Sequence, residues 1–135
     1  MFKTVLFPID QSRETREAAD VVANVVQKYG SRLVLLSVVE EPASDTPGGD
    51  AMSSPQTVAQ LLENAKSVFS QQGIQAETIE RQGNPAFTIC DVADELEADL
   101  IVMGCRGLGL TEEGINESVT NRVINLSPCP VLVVP

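Results

Sequence analysis

Residues Leu33-Val34-Leu35-Leu36-Ser37-Val38-Val39 decide the fold. The run is apolar at consecutive positions, so a strand made from it has no wet face. Strands buried on both faces belong to parallel sheets covered by helices on either side. The flanking sequence fits. Val5-Leu6-Phe7-Pro8-Ile9 is a short buried strand, and Ala18, Val21, Val22, Val25, Val26 and Tyr29 then recur at helical spacing up to Gly30. Residues Glu40 to Ser54 are a loop with Pro42, Pro47, Gly48, Gly49 and only acidic charges.

The same alternation continues to the end of the chain. Ser54-Pro55 is a helix start, with Ser as cap and Pro in the first turn, and Val58, Leu61, Leu62, Ala65, Val68 and Phe69 follow on one stripe. Gly73 closes that helix. Ala76 to Arg81 alternates apolar and polar residues and predicts a half-exposed strand near an edge. Asn84-Pro85 opens a third helix with Ala86, Ile89, Val92, Ala93 and Leu96 inward. Leu100 to Met103 is a fourth strand, Gly104 to Asn116 a Gly-rich loop, Ser118 to Leu126 a short helix, and Val131 to Val134 a last strand. The order β-α-β-α-β-α-β-α-β predicts one α/β domain with a parallel sheet and right-handed crossovers.

Composition narrows the chemistry. The 135 residues suffice for one domain over positions 1–135 and carry a formal charge of −10. A chain this acidic has no general attraction for nucleic acid or an anionic membrane. It has no histidine, which removes the usual zinc, haem and Ser-His-Asp chemistries. Cys90, Cys105 and Cys129 are far apart and form no CxxC pair, which fits a reducing, cytoplasmic setting. Cys90 and Cys129 read as small packing residues. No run approaches the roughly 20 apolar residues of a membrane helix. Pro8 and Asp10 interrupt the first apolar stretch before it could serve as a signal peptide.

In an open parallel sheet, ligands bind beyond the carboxyl ends of the strands, where the strand order reverses. Asp10, Val38 with Val39, and Gly104 should converge there. The stretch from Gly104 to Ser118 has the parts of a phosphate cradle. Glycines let backbone N–H groups approach an anion, and a helix N-terminus carries partial positive charge. Ser118 adds a hydroxyl and Arg106 a cation. A plain turn, with Arg106 solvated and Asp10 capping, satisfies the same residues. No Gly is followed by Lys, and the glycine spacing is not G-x-G-x-x-G, so neither a Walker loop nor a dinucleotide fingerprint is present. No residue stands out as a base for water attack or as a metal ligand, so any ATP hydrolysis should be slow.

Several motifs together resemble the universal stress protein (UspA-type) family. They are Val5-Leu6-Phe7-Pro8-Ile9-Asp10-x-Ser12, Gly83-Asn84-Pro85, Ala98-Asp99-Leu100-Ile101-Val102-Met103-Gly104, Gly104-x2-Gly107-x9-Glu117-Ser118 and Ser127-Pro128-Cys129-Pro130-Val131-Leu132-Val133-Val134. The resemblance spans the whole chain. It implies a doubly wound sheet of order 3-2-1-4-5 and a homodimer made by pairing last strands. An apolar edge strand such as Val131–Val134 needs protection, so that pairing makes physical sense. The resemblance also implies an adenine nucleotide, ATP or AMP, as ligand. Pro8, Ile9 and Val38 would line the adenine pocket, Val38 through its backbone, with Met103 at its edge. Asp10 would sit beside the nucleoside and Gly104 and Gly107 in the phosphate and ribose loop. Ser118, Val119 and Thr120 would meet the phosphates.

One residue departs from the nucleotide-binding pattern G-x2-G-x9-G-[ST]. Glu117 stands where binders have the last glycine. Its Cβ obstructs close approach, and its carboxylate repels a triphosphate. At roughly 5 Å and an effective dielectric of about 20, one such pair costs about 3 kcal/mol before screening. Glu112 and Glu113 add to it, and a divalent cation such as Mg²⁺ would bridge the acids. Two functions are therefore expected. One is a stress-response regulator holding an adenine nucleotide. The other is a nucleotide-free dimeric module that acts through an unknown protein partner.

Overall fold

The computed structural model describes residues 2–9, 13–39, 55–104 and 119–134. In chain order the elements are β1 (Thr4–Pro8), α1 (Arg13–Tyr29), β2 (Arg32–Val39), α2 (Pro55–Gln71), β3 (Ala76–Gln82), α3 (Pro85–Leu96), β4 (Leu100–Gly104), α4 (Val119–Leu126) and β5 (Val131–Val134). The strands form one sheet of order β3-β2-β1-β4-β5, and every neighbouring pair is parallel. The α/β class and the strand order agree with the sequence expectation.

Side-chain alternation divides the core into two layers. On one face Val5, Phe7, Leu33, Leu35 and Val102 meet α1 and α2 through Ala18, Val22, Val26, Leu62 and Phe69. On the other face Leu6, Val34, Leu36, Ile101 and Met103 meet α3 and α4 through Ala86, Ile89, Val92, Ala93 and Val123. The two leftward crossovers use one face and the two rightward ones the other, as right-handed connections require. Val5, Leu6 and all four residues from Leu33 to Leu36 are fully buried, at 0% exposure. This is why the central run is apolar without alternation.

Among the described residues, two stripe residues face solvent. Tyr29 and Val68 are exposed. Tyr29 ends α1 and packs edge-on against Phe2, with ring centroids 5.2 Å apart. Helical periodicity assigns it to the stripe, but at the end of a helix the sheet no longer lies beneath. Edge strand β3 is dressed with polar residues, and the Arg32 guanidinium hydrogen-bonds the Glu77 carboxylate there. That bond holds the Glu77 carboxyl below its usual range. Among the described residues no helix is long and apolar enough to cross a membrane.

Helix α3 shows how local signals set the boundaries. Asn84 caps it, its side-chain oxygen accepting from the Phe87 N–H, and Pro85 occupies the first turn. At the other end Glu97 adopts φ 53° and ψ 45°, a left-handed cap normally given to glycine. A residue with a Cβ is strained there, and a carboxylate at a helix C-terminus opposes the dipole. Glu97→Gly is expected to raise stability by about 0.5–1 kcal/mol. Urea denaturation at neutral pH measures it, and a lower midpoint would contradict the strain argument.

Candidate functional site

The site follows from how three strands end. Their amino ends are tied together. The Asp99 carboxylate accepts from the backbone N–H groups of Lys3 and Thr4, each at 3.0 Å, and the Asp99 N–H donates to the Thr4 carbonyl at 2.8 Å. β1 and β4 then pair only at Val5↔Leu100 and Leu6↔Ile101.

The reason lies in Pro8. Backbone polar groups alternate sides along a strand. Ile9 donates to the Leu36 carbonyl of β2 at 2.8 Å, so Pro8 faces β4, as Thr4 does. The next rung toward β4 needs an N–H from residue 8, and proline has none. The pairing of β1 with β4 stops there, toward the carboxyl end of the sheet. This is also where the strand order reverses, the usual position of a ligand in such sheets.

β2 supplies the second wall. It runs past the end of β1, because the β1–β2 register stops at Pro8↔Leu36 while β2 continues to Val39. Leu36 faces β1, so Val38, two residues on, turns its N–H and C=O to the same side. Among the described residues, no rung of the β1–β2 ladder takes up these groups. The Val38 side chain packs against the α3 and α4 layer, leaving the backbone as its polar contribution. A donor and an acceptor on adjacent atoms of a strand edge suit a planar heterocycle.

The predicted residues sort clearly. The fold brings Pro8, Ile9, Val38, Met103 and Gly104 to one end of the sheet. Ile9 and Met103 are buried, and Gly104 is half-exposed at the end of β4. Val119 and Thr120 form the first turn of α4, which follows β4. Asp10, Arg106, Gly107, Glu117 and Ser118 lie outside the described residues. Sequence reading missed Ser37, the buried polar residue of the core, at 4% exposure. It precedes Val38 and pairs with Glu80 of β3 in the register. Its only sequence signal was a lone hydroxyl inside an apolar strand.

The described cysteines serve packing. Cys90 is buried in the α3 layer and Cys129 packs against that layer. Burial pushes both thiols above their ordinary range. Thiolates are correspondingly scarce at neutral pH, which makes both poor nucleophiles.

Comparison with known proteins gives the family. The family model described as "Universal stress protein family" matches residues 1–135. The chain belongs to the universal stress protein family. A universal stress protein of Synechocystis sp. is 66% identical over 139 residues, covering 100% of this chain and 87% of that one. A universal stress protein solved in complex with cAMP is 25% identical with a TM-score of 0.79, covering 99% of this chain and 97% of the other. One from Archaeoglobus fulgidus, solved in complex with dAMP, shares the fold at 21% identity and a TM-score of 0.71, covering 100% and 98%.

Pro8→Ala supplies the missing donor in this universal stress protein domain. The new amide is expected to bond the Val102 carbonyl and to exchange slowly with solvent, as neighbouring strand amides do. Hydrogen exchange followed by NMR checks this. Fast exchange at position 8 would mean that something other than the proline ends the β1–β4 pairing.

Proposed function

We propose that this universal stress protein binds an adenine nucleotide, AMP in preference to ATP, at the carboxyl ends of β1, β2 and β4, and that it does so as a regulatory ligand. The observation that carries the reading is the backbone edge of Val38, which among the described residues no β1–β2 rung takes up, beside the point where Pro8 ends the β1–β4 pairing. An adenine edge offers an acceptor at N1 and a donor at the 6-amino group. These complement the Val38 N–H and C=O. The cAMP and dAMP complexes of the structural relatives support an adenine nucleotide as the ligand class. Ribose and phosphates would run toward Gly104 and the start of α4, whose N-terminal dipole favours an anion. Asp10, Arg106, Gly107, Ser118, Val119 and Thr120 are assigned to that part by family resemblance. The preference for AMP comes from Glu117, since each added phosphate meets its charge.

Calorimetry with AMP and ATP, with and without Mg²⁺, tests the reading. Heat is expected at protein concentrations of tens of micromolar, and its absence with both nucleotides would sink the proposal. Glu117→Gly is expected to tighten ATP binding roughly tenfold and AMP binding less. Equal tightening of both would contradict the charge argument.

The proposal includes a homodimer through β5. The two sheet edges differ. β3 exposes Glu77, Glu80, Arg81 and Gln82, whereas β5 is Val131-Leu132-Val133-Val134 with Leu132 exposed and Ile124 of α4 exposed nearby in sequence. An apolar edge with free backbone groups is a pairing template. The Ile101 N–H donates to the Pro130 carbonyl at 3.0 Å, so Pro130 and Leu132 face β4 while Val131 and Val133 face outward. Val133→Pro therefore removes an outward donor and leaves the β4 ladder intact. Sedimentation should find the parent chain dimeric and this variant monomeric. A variant that remains dimeric would place the contact elsewhere.

A further inference from the structure

Gly83 stands between the end of β3 and the cap of α3, beside the last residue of β2. Its φ is +146°, a region that residues with a Cβ rarely enter. A Cβ at this position would lie 2.9 Å from Thr88 Oγ1, too close without movement. Its N–H donates to the Val39 carbonyl at 2.9 Å, one residue past the final register pair Val39↔Gln82.

This bond acts at the end of β2, on the side opposite the Val38 polar groups. Val38 and Val39 are joined by a planar trans peptide, so the Val38 C=O and the Val39 N–H point in opposite directions from one rigid plate. The β3 side of that plate is held by the ladder. Gly83 holds the next carbonyl along, at the point where β2 ends. The Val38 side chain packs against the core layer that includes α3, the helix started by the adjacent Asn84 cap. Without Gly83 the end of the strand is anchored only from behind.

We infer that Gly83 is a positioning residue for base recognition: its bond to the Val39 carbonyl anchors the end of β2 and so limits tilting of the Val38 N–H and C=O that read the base. The inference rests on the adenine-nucleotide reading. It also gives that reading a basis for specificity. Hypoxanthine presents a donor and an acceptor in the reverse order along the same edge. A fixed pair on Val38 rejects it, because each of its polar groups meets a like group. A strand end free to tilt discriminates less.

Calorimetry on the full chain and on Gly83→Ala, with AMP and with IMP, reads this directly. The parent chain is expected to prefer AMP. The variant should bind AMP about tenfold more weakly, the worth of one hydrogen bond, while its IMP binding stays nearly unchanged. A general structural defect would weaken both alike, and an unchanged AMP-to-IMP ratio overturns the inference. Should the variant fail to fold, Gly83→Ala combined with Thr88→Ala removes the steric contact and carries the same comparison. Hydrogen exchange on the parent chain gives a readout without substitution. AMP should slow exchange of the Gly83 amide more than that of Ala76, at the far end of β3. Equal slowing overturns the inference. A parent chain that binds neither nucleotide sinks the nucleotide reading and this inference with it. AMP binding with the ratio preserved in the variant sinks this inference alone.

Discussion

A parallel sheet must satisfy every buried backbone group through its neighbours, and it can stop doing so only where the chain leaves the interior. The rest of this universal stress protein domain depends on where that happens. At the amino ends of the strands the Asp99 carboxylate and the Asp99 amide bind β4 to the start of β1. At the carboxyl ends Pro8 removes a donor, and β2 outruns β1. The sheet is therefore closed at one pole and open at the other. Among the described residues, the interior strands β1 and β2 lose ladder partners where the strand order reverses.

The helices reinforce this asymmetry. α1 and α2 cover one face and α3 and α4 the other, so both faces of the sheet are taken up by core packing. The carboxyl pole is where such sheets usually hold a ligand. The same packing makes the two sheet edges unequal. β3 is guarded by charge, including the Arg32–Glu77 pair, while β5 is four apolar residues. Exposed ion pairs of this kind add little stability. Their effect at β3 is to discourage pairing with another strand, which leaves β5 as the edge suited to a second copy.

Much of this was legible in the sequence because the signals were local. Gly30, Gly73 and the Asn84-Pro85 pair mark helix ends that the structure places as expected. The unbroken apolar run of β2 marked a strand covered on both faces, and the alternation in β3 marked an edge. Tyr29 and Val68 were misassigned because periodicity describes a helix of unlimited length, whereas a real helix overhangs the sheet at its ends or flanks. Ser37 escaped notice because one hydroxyl does not interrupt an apolar pattern. Glu97 was invisible as a cap, since nothing in a glutamate signals a left-handed conformation.

The sequence by itself determined the class of fold, the number of elements and the family. Each follows from periodicity, caps and motifs, which act over a few residues. It also placed Glu112, Glu113 and Glu117 together between Gly107 and Ser118. Only the tertiary structure decided which backbone groups are left open. That depends on the register between β1, β2 and β4, strands far apart in sequence. Pro8 lacks a donor wherever it stands, but the lack ends the β1–β4 pairing only because that donor would have faced β4. Val38 and Gly83 carry no distinctive chemistry of their own, and what sets them apart is the strand ends that meet beside them.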